Sequence, residues 1–167
     1  MSLTYRKPRP LDRDQAIFRD DRIYLVACDD TYAPKQYFSF FGIPRIQVHV
    51  IPTTDGSSSA MHVLERLLEF EYIQDLDERW LVLDCDHYIK PNHLKSFQQA
   101  INRARQEKVN VALSNPCFEL WLLLHHVDQF YNVNGFANAN EIESTLRKIL
   151  KGYNKGRLRP GVIFCAG

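Results

Sequence analysis

The sequence predicts an α/β protein with three layers, in which helices cover both faces of a mainly parallel, four-stranded sheet. Four short runs rich in β-branched and aromatic residues alternate with segments whose apolar residues recur at helical spacing. Most of these runs are nearly continuous in their apolar residues, which is typical of parallel strands that are buried on both faces. Polar and acidic residues follow the ends of three runs, where such folds place their functional crevice.

The predicted strands are short and each is followed by a predicted helix. Because a strand, a helix and a second strand connect by a right-handed crossover, neighbouring strands are expected to run parallel. The strands are 22–30 (RIYLVACDD), 45–52 (RIQVHVIP), 79–86 (RWLVLDCD) and 109–114 (VNVALS).

Five helices are predicted from apolar periodicity and from residues that favour helix ends. The first is expected to end at Gly42, and the second to start from a run of hydroxyl side chains. The fourth is expected to have Asn115 as its N-cap and Pro116 at its first position, and Asp or Glu near such a start favours the helix dipole. The helices are 34–42, 53–72, 91–108, 115–126 and 141–153, with a loop at 132–140.

The length of 167 residues suits one domain with a core of its own. We predict a polar N-terminal arm at 1–20 and a single domain at 21–167 that ends in a basic segment. The chain is 45% hydrophobic and 12% aromatic, which excludes a disordered protein. No apolar run approaches the roughly 20 residues that span a bilayer, and the start lacks a secretory signal, so we expect a cytoplasmic protein with no membrane partner.

Positive charge is concentrated at the two ends of the chain, although the net charge is only +1. No acidic residue follows Glu143, and the first eleven residues also carry basic side chains without an acid. Such ends suit a polyanion such as nucleic acid, although solvated basic side chains would look the same. The basic residues after Glu143 are Arg147, Lys148, Lys151, Lys155, Arg157 and Arg159.

The four cysteines are spread along the chain without CxxC spacing, which favours reduced thiols over a disulfide framework. Zinc ligation by Cys85, His87 and either His125 or His126 is compatible with the ligand types, but no spacing supports it. His125 and His126 also suit a structural position near a helix C-terminus.

Carboxylates follow two of the predicted strands. Asp29 ends the first run, and Asp84 and Asp86 end the third. Because the carboxyl ends of parallel strands meet at one edge, these like charges are expected to converge and to share a cation. Hard oxygen ligands select Mg²⁺ or Mn²⁺. The alternative is that Asp84 and Asp86 cap the next helix or lie in solvent.

A strand that ends in D-x-D also occurs in phosphatases of the haloacid dehalogenase type, where the first Asp attacks phosphorus. Those proteins carry the motif at the start of the domain, with Thr two residues after the second Asp. Here the motif lies in the middle of the chain and is followed by His87 and Tyr88. This reading is therefore the weaker one.

The stretch at 114–126 adds polar groups after the fourth strand. Asn115 can donate from its side chain to an anion, and Glu119 can hold a metal-bound water or act as a base. The alternative is that Asn115 is only an N-cap and that Glu119 only complements the helix dipole.

Three stretches resemble the RloB-like proteins of the Toprim-like group, small proteins found with bacterial restriction and abortive-infection loci. They are LVACDDTYAPKQYF (25–38), LVLDCDH (81–87) and ALSNPCFELWLLLHH (112–126), and GYNKGRL (152–158) is similar to a Y-x-K element of that family. The resemblance implies a Toprim-type fold in which an acid after strand one and the D-x-D after strand three bind Mg²⁺ for phosphodiester cleavage or transfer.

The first family motif, C-E-G-x-x-T-E-x-x-Y-F, is altered in this chain. Its first Glu falls on Asp29, its Gly on Asp30, its Thr on Ala33 and its second Glu on Pro34. Asp is one methylene shorter than Glu, so the reach of Asp29 to a metal is reduced.

We therefore expect a nuclease dependent on Mg²⁺ (or Mn²⁺) that cleaves DNA or RNA in a restriction-associated or anti-phage system. The alternative is a degenerate domain that binds nucleic acid or a partner protein without cleavage. A partner ATPase or another restriction-system protein is a candidate partner, and the oligomeric state is open. The expected metal ligands are Asp29, Asp84 and Asp86; the catalytic residues are Asp29 and Glu119; the nucleic-acid-binding residues are Asn115, Lys155 and Arg157.

Overall fold

The computed structural model describes residues 21–30, 32–51, 59–72, 77–88, 91–128 and 132–158. The predicted arm at 1–20 lies outside these ranges, as does the end of the basic segment beyond residue 158. None of the helices within them combines the length and the apolar character needed to cross a bilayer.

Four parallel strands form one sheet in the order β2-β1-β3-β4. This confirms the predicted parallel, four-stranded sheet. In the register of the strands, Val26 lies opposite Val50 and Trp80, and Asp84 lies opposite Ser114. The strands are β1 (Arg22–Cys28), β2 (Ile46–Ile51), β3 (Glu78–Asp84) and β4 (Asn110–Ser114).

All five predicted helices are present, with shifted ends. The first ends before Gly42, with Phe40 as its C-cap, and Ser59 caps the second by accepting a hydrogen bond from the His62 N–H. The helices are α1 (Ala33–Ser39), α2 (Ala60–Leu68), α3 (Pro91–Gln106), α4 (Glu119–Leu124) and α5 (Ala139–Ile149), and a short 3₁₀ helix covers Val133–Gly135.

The predicted start of α4 is wrong, because Phe118 rather than Asn115 occupies the N-cap position. The reason lies in the pairing of the backbone just beyond β3 and β4. The N–H of Cys85 donates to the Ser114 carbonyl at 2.8 Å, and the N–H of Asp86 donates to the Pro116 carbonyl at 3.1 Å. The chain therefore stays beside β3 past the end of β4, and Asn115 is left exposed.

The sheet has an apolar core on each face, which confirms the three-layer α/β/α arrangement. Core A lies against α1, α4 and α5, and core B lies against α2 and α3. Successive residues of each strand pack alternately into the two cores. Val26 and Cys28 lie in core A, while Leu25 and Ala27 lie in core B. This alternation also decides on which face each side chain lies at the carboxyl edge of the sheet.

An apolar cavity of about 310 Å³ lies within core A, between the sheet and helices α1 and α4. Aromatic side chains, among them Tyr24, Trp80 and Trp121, form much of its lining. Acidic residues do not line it, so it is separate from the carboxylates described next.

Candidate functional site

The carboxyl ends of β1, β3 and β4 form an acidic rim, which we define by Asp29, Asp30, Asp84, Asp86 and Glu119. Asp29 and Asp30 follow β1, Asp84 ends β3, and Glu119 opens α4 just after β4. Burial of carboxylates is unusual, yet only 6% of Asp29, 3% of Asp84 and 1% of Glu119 is exposed. Such groups require partners inside the protein or a bound cation.

Asp29 links the ends of β1 and β3. Its Oδ2 accepts a hydrogen bond from the Asp84 N–H at 3.1 Å and another from the Tyr88 hydroxyl at 3.3 Å. The Asp29 carboxylate thus contacts the backbone of Asp84, the first residue of the D-x-D motif, and the side chain of Tyr88 just after it.

Asp84 carries the clearest electrostatic signal of the rim. Burial, followed by repulsion from Asp29 and Glu119, raises the pKa of its carboxyl to about 8. At neutral pH this side chain therefore holds a proton in the metal-free protein. A cation bound nearby would remove the repulsion and let Asp84 ionise.

His87 supplies positive charge on one side of the rim. Its Nδ1 lies 3.6 Å from Asp29 Oδ2, and its Nε2 lies 3.8 Å from Asp86 Oδ1. The ionic contact with Asp29 raises the pKa of the imidazole to about 9, although burial opposes the shift and the charge of Asp86 adds to it. His87 is therefore a cation at neutral pH, bridging two carboxylates that come from different strand ends.

Lys155 supplies positive charge on the other side. Its Nζ lies 2.6 Å from Asp30 Oδ2 and 2.9 Å from Glu119 Oε1. Burial alone would lower the pKa of the ammonium group, but hydrogen bonds to Asp30 and Glu119 outweigh it and raise the pKa well above its usual value. The Tyr153 hydroxyl adds a longer hydrogen bond of 3.5 Å to the same oxygen of Glu119.

Gln36 on α1 holds the segment that carries Lys155. We call residues 153–158 the basic strap. The Gln36 amide donates to the Lys155 carbonyl at 3.2 Å and accepts from the Leu158 N–H at 2.8 Å. Asp30 anchors the start of the same helix, since its Oδ1 accepts from the N–H groups of Tyr32 and Ala33.

The rim gathers most of the residues expected from the sequence. Asp84 and Asp29 are joined by a hydrogen bond, and Lys155 contacts Glu119. Asn115 and Arg157 are exposed. The roles assigned to these residues in metal and nucleic-acid binding stay predictions.

Sequence reasoning considered His87 only as a zinc ligand. It did not assign four further contributors to the site, which are Asp30, Tyr88, Gln36 and Tyr153. His87 and Tyr88 had a signal, because they directly follow the D-x-D. Tyr153 also had one, since it belongs to the element similar to Y-x-K. Gln36 had none, because the partners of a polar residue in a short helix depend on the tertiary fold.

The chemistry of the rim fits a hard cation such as Mg²⁺. Its donors are carboxylate oxygens from two strand ends, and Asp86 Oδ1 is buried without a hydrogen-bond partner among the described residues. Across the described ranges, no three His, Cys, Asp or Glu side chains are already arranged to hold one ion. In this conformation the His87 imidazole contacts both Asp29 and Asp86.

The three cysteines within the described ranges, Cys28, Cys85 and Cys117, form no disulfide with one another. Burial, with the charges of Asp84 and Asp86 adding to it, raises the pKa of the thiol of Cys85, the cysteine considered above for zinc. That shift disfavours the thiolate, which is the form that binds zinc.

A family profile described as RloB-like protein matches residues 24–161. The chain belongs to the RloB-like family. The matched region contains the whole acidic rim and the basic strap, so the site lies within the part that this RloB-like protein shares with its family. No curated protein and no solved structure matched the chain.

Proposed function

We propose that this RloB-like protein is a Mg²⁺-dependent nuclease whose metal ligands are Asp84, Asp86 and Asp29. The observation that carries the proposal is that the buried carboxyl groups of Asp29, Asp84 and Glu119 converge at one edge of the sheet. Burial and repulsion within this cluster raise the pKa of Asp84 to about 8. A cluster of carboxylates with this property is suited to a divalent counterion. Mn²⁺ is expected to substitute for Mg²⁺, because both prefer oxygen ligands.

The side chains around the ligands have separate tasks. When bound, the metal supplies positive charge at the phosphate and lowers the pKa of a coordinated water. Glu119 is the candidate base or water-positioning group, and Lys155 holds it in place through a contact of 2.9 Å. Asn115 and Arg157 are exposed and available to hold the phosphate backbone of DNA or RNA.

The test is cleavage by a variant that carries both Asp84→Asn and Asp86→Asn. Wild-type protein is expected to cut DNA or RNA in Mg²⁺ and to be inactive in EDTA, whereas the double variant is expected to be inactive in both. Glu69→Gln is the matched control, because Glu69 is an exposed carboxylate at the end of α2. Equal Mg²⁺-dependent cleavage by the double variant and wild type would reject the metal site.

A second candidate is a non-cleaving domain that binds nucleic acid or a partner protein. This candidate is favoured by Asp30, which occupies the position of a Gly in the family motif. Its carboxylate forms an ion pair with the ammonium group of Lys155, which is then engaged within the protein. Calorimetric titration with Mg²⁺ separates the two candidates: binding supports the nuclease, and its absence together with retained nucleic-acid binding supports the second. On either reading we place the protein in a restriction-associated or anti-phage system, with a partner ATPase or restriction-system protein as a candidate partner.

A further inference from the structure

Ser114, the last residue of β4, has a buried hydroxyl that nothing in the described part of the chain satisfies. The residue is 3% exposed, and its Oγ has no hydrogen-bond partner there. A buried polar atom without a partner is unfavourable, so each such atom needs an explanation, of which an unseen ion or water is one.

The position of Ser114 connects this hydroxyl with the acidic rim. Ser114 lies opposite Asp84 in the register of β3 and β4. Because side chains alternate along a strand, Ser114 shares the core A face with Ala112, and Asp84 shares it with Val82. The two side chains are therefore neighbours on one face, on strands about 4.8 Å apart.

A second buried oxygen without a hydrogen bond belongs to Asp86, and its ionic contact with His87 Nε2 is long, at 3.8 Å. Asp86 Oδ1 and Ser114 Oγ are the only buried side-chain oxygens without a hydrogen-bond partner among the described residues. Their chain segments are joined, since the N–H of Cys85 donates to the Ser114 carbonyl and the N–H of Asp86 donates to the Pro116 carbonyl. The two segments that carry these oxygens therefore lie side by side at the rim.

The surrounding charge decides the kind of group. Asp84 lies opposite Ser114 at the end of β3, Asp86 follows two residues later, and Glu119 follows Ser114 along the chain. The rim has five carboxyl groups and only two cationic side chains, His87 and Lys155, so negative charge prevails even with a proton on Asp84. An anion would therefore be repelled, whereas a cation with its waters is complementary to the rim. A hydroxyl oxygen is also a hard donor of the kind that Mg²⁺ accepts.

We propose that Ser114 is a further member of the metal site, and that its hydroxyl binds the divalent cation directly. The inference rests on the metal site of the proposed function and adds a residue to it. Its role is separate from folding, because the hydroxyl makes no hydrogen bond within the described metal-free protein.

The first experiment compares Ser114→Ala with wild type by Mn²⁺ binding and by thermal unfolding with and without Mg²⁺. Without metal, the variant is expected to melt at the same temperature as wild type or higher, since a methyl group needs no hydrogen bond. With metal, its Mn²⁺ affinity is expected to fall about 10-fold or more and the Mg²⁺-induced rise in Tm to shrink. Ser144→Ala, at an exposed position of α5, is the matched control.

The outcomes separate this inference from the proposed function. If Asp86→Asn lowers Mn²⁺ affinity and Ser114→Ala does not, Ser114 lies outside the metal site while the site itself stands. If Asp86→Asn binds Mn²⁺ as wild type does, the metal site of the proposed function fails, and the inference fails with it. A fall in Tm of Ser114→Ala without metal, with unchanged affinity, would make the hydroxyl purely structural.

Ser114→Cys provides a readout that folding cannot imitate and covers the case in which the Ala variant does not fold. It replaces a hard oxygen with a soft sulfur of similar size, so the ratio of Cd²⁺ affinity to Mg²⁺ affinity is expected to rise relative to wild type. An unchanged ratio, measured by calorimetry, would overturn the inference.

Discussion

Individual side chains of this protein neutralise the acidic rim from within. His87 contacts Asp29 and Asp86, and Lys155 contacts Asp30 and Glu119. Removing one member of a buried ion pair is more damaging than never having had the pair, because the remaining charge stays buried without a partner. The loss of Lys155 is expected to cost more than the loss of His87, since its partners Asp30 and Glu119 are only 9% and 1% exposed.

Lys155→Met is expected to lower the free energy of unfolding by about 2 kcal/mol, below the usual cost for a fully buried pair because 39% of the lysine side chain is exposed. Urea denaturation measures the change. Lys151→Met is the control: this lysine is exposed, and its replacement is expected to cost less than about 0.5 kcal/mol. Equal losses in both variants would show that Lys155 does not stabilise the rim.

Residue positions at the rim were partly predictable. Asp29 and Asp84 follow from the rule that strand ends of a parallel sheet share an edge. The pairing of Lys155 with Asp30 and Glu119 could not be predicted, because it joins three separate parts of the chain and depends on where Gln36 holds the strap. Sequence reasoning assigned Lys155 to phosphate binding, and in the structure its ammonium group contacts two carboxylates.

At the scale of elements, a hydrogen bond joins the two short helices that flank the rim on the core A side. The Tyr37 hydroxyl on α1 lies 2.9 Å from His125 Nε2, just after α4, and the two rings are 5.7 Å apart. Burial, followed by the charge of His126, lowers the pKa of His125 below its ordinary value of 6.5. Protonation of His125 is therefore unfavourable in the folded protein.

The lowered pKa of His125 makes stability depend on pH in a defined direction. As the pH falls through 6.5, His125 takes up a proton in the unfolded chain before it does so in the folded protein. The free energy of unfolding therefore decreases as the pH falls from 6.5 through the lower pKa of the folded protein. His125→Gln keeps an acceptor for Tyr37 and cannot titrate. We expect its Tm to fall less between pH 7 and pH 5 than that of wild type.

Melting curves at several pH values measure the effect of His125→Gln, and His93→Gln, at an exposed position of α3, controls for the loss of a histidine. A decline of Tm that is equally steep in His125→Gln and wild type would remove His125 as its source.

The existence of the elements was more predictable than their ends. Apolar periodicity located all four strands and five helices, because it reports which residues each element buries. The start of α4 was wrong, since the bonds that hold Ser114 and Pro116 beside Cys85 and Asp86 join distant parts of the chain. Sequence signals for helix caps involve residues a few positions apart. They do not include hydrogen bonds to a distant strand, such as those that keep residues 114–116 out of the helix.

At the scale of the whole molecule, one sheet separates two apolar cores. Val63 on α2 belongs to core B and Ile142 on α5 belongs to core A, and both are fully buried. The layered arrangement followed from the alternation of strands and helices in the sequence. The order of the strands did not, because adjacency in the sheet is decided by long-range packing.

Val63→Ala and Ile142→Val test whether the two cores are independent in packing. We expect the first to cost about 2 kcal/mol and the second about 1 kcal/mol in the free energy of unfolding. Because a sheet lies between the sites and they share no contact, the double variant is expected to lose the sum within about 0.5 kcal/mol. A larger deviation in urea denaturation would show that strain passes through the sheet.

The position of the basic strap late in the sequence affects the order in which parts of the protein can fold during translation. Translation delivers Asp30 and Glu119 before Lys155, so a nascent chain lacks the cation that both carboxylates need in order to be buried. The four strands and both cores are largely complete in sequence by residue 149, where α5 ends. The sheet can therefore assemble first, and the acidic edge is completed only when residues 153–158 emerge and bind to Gln36.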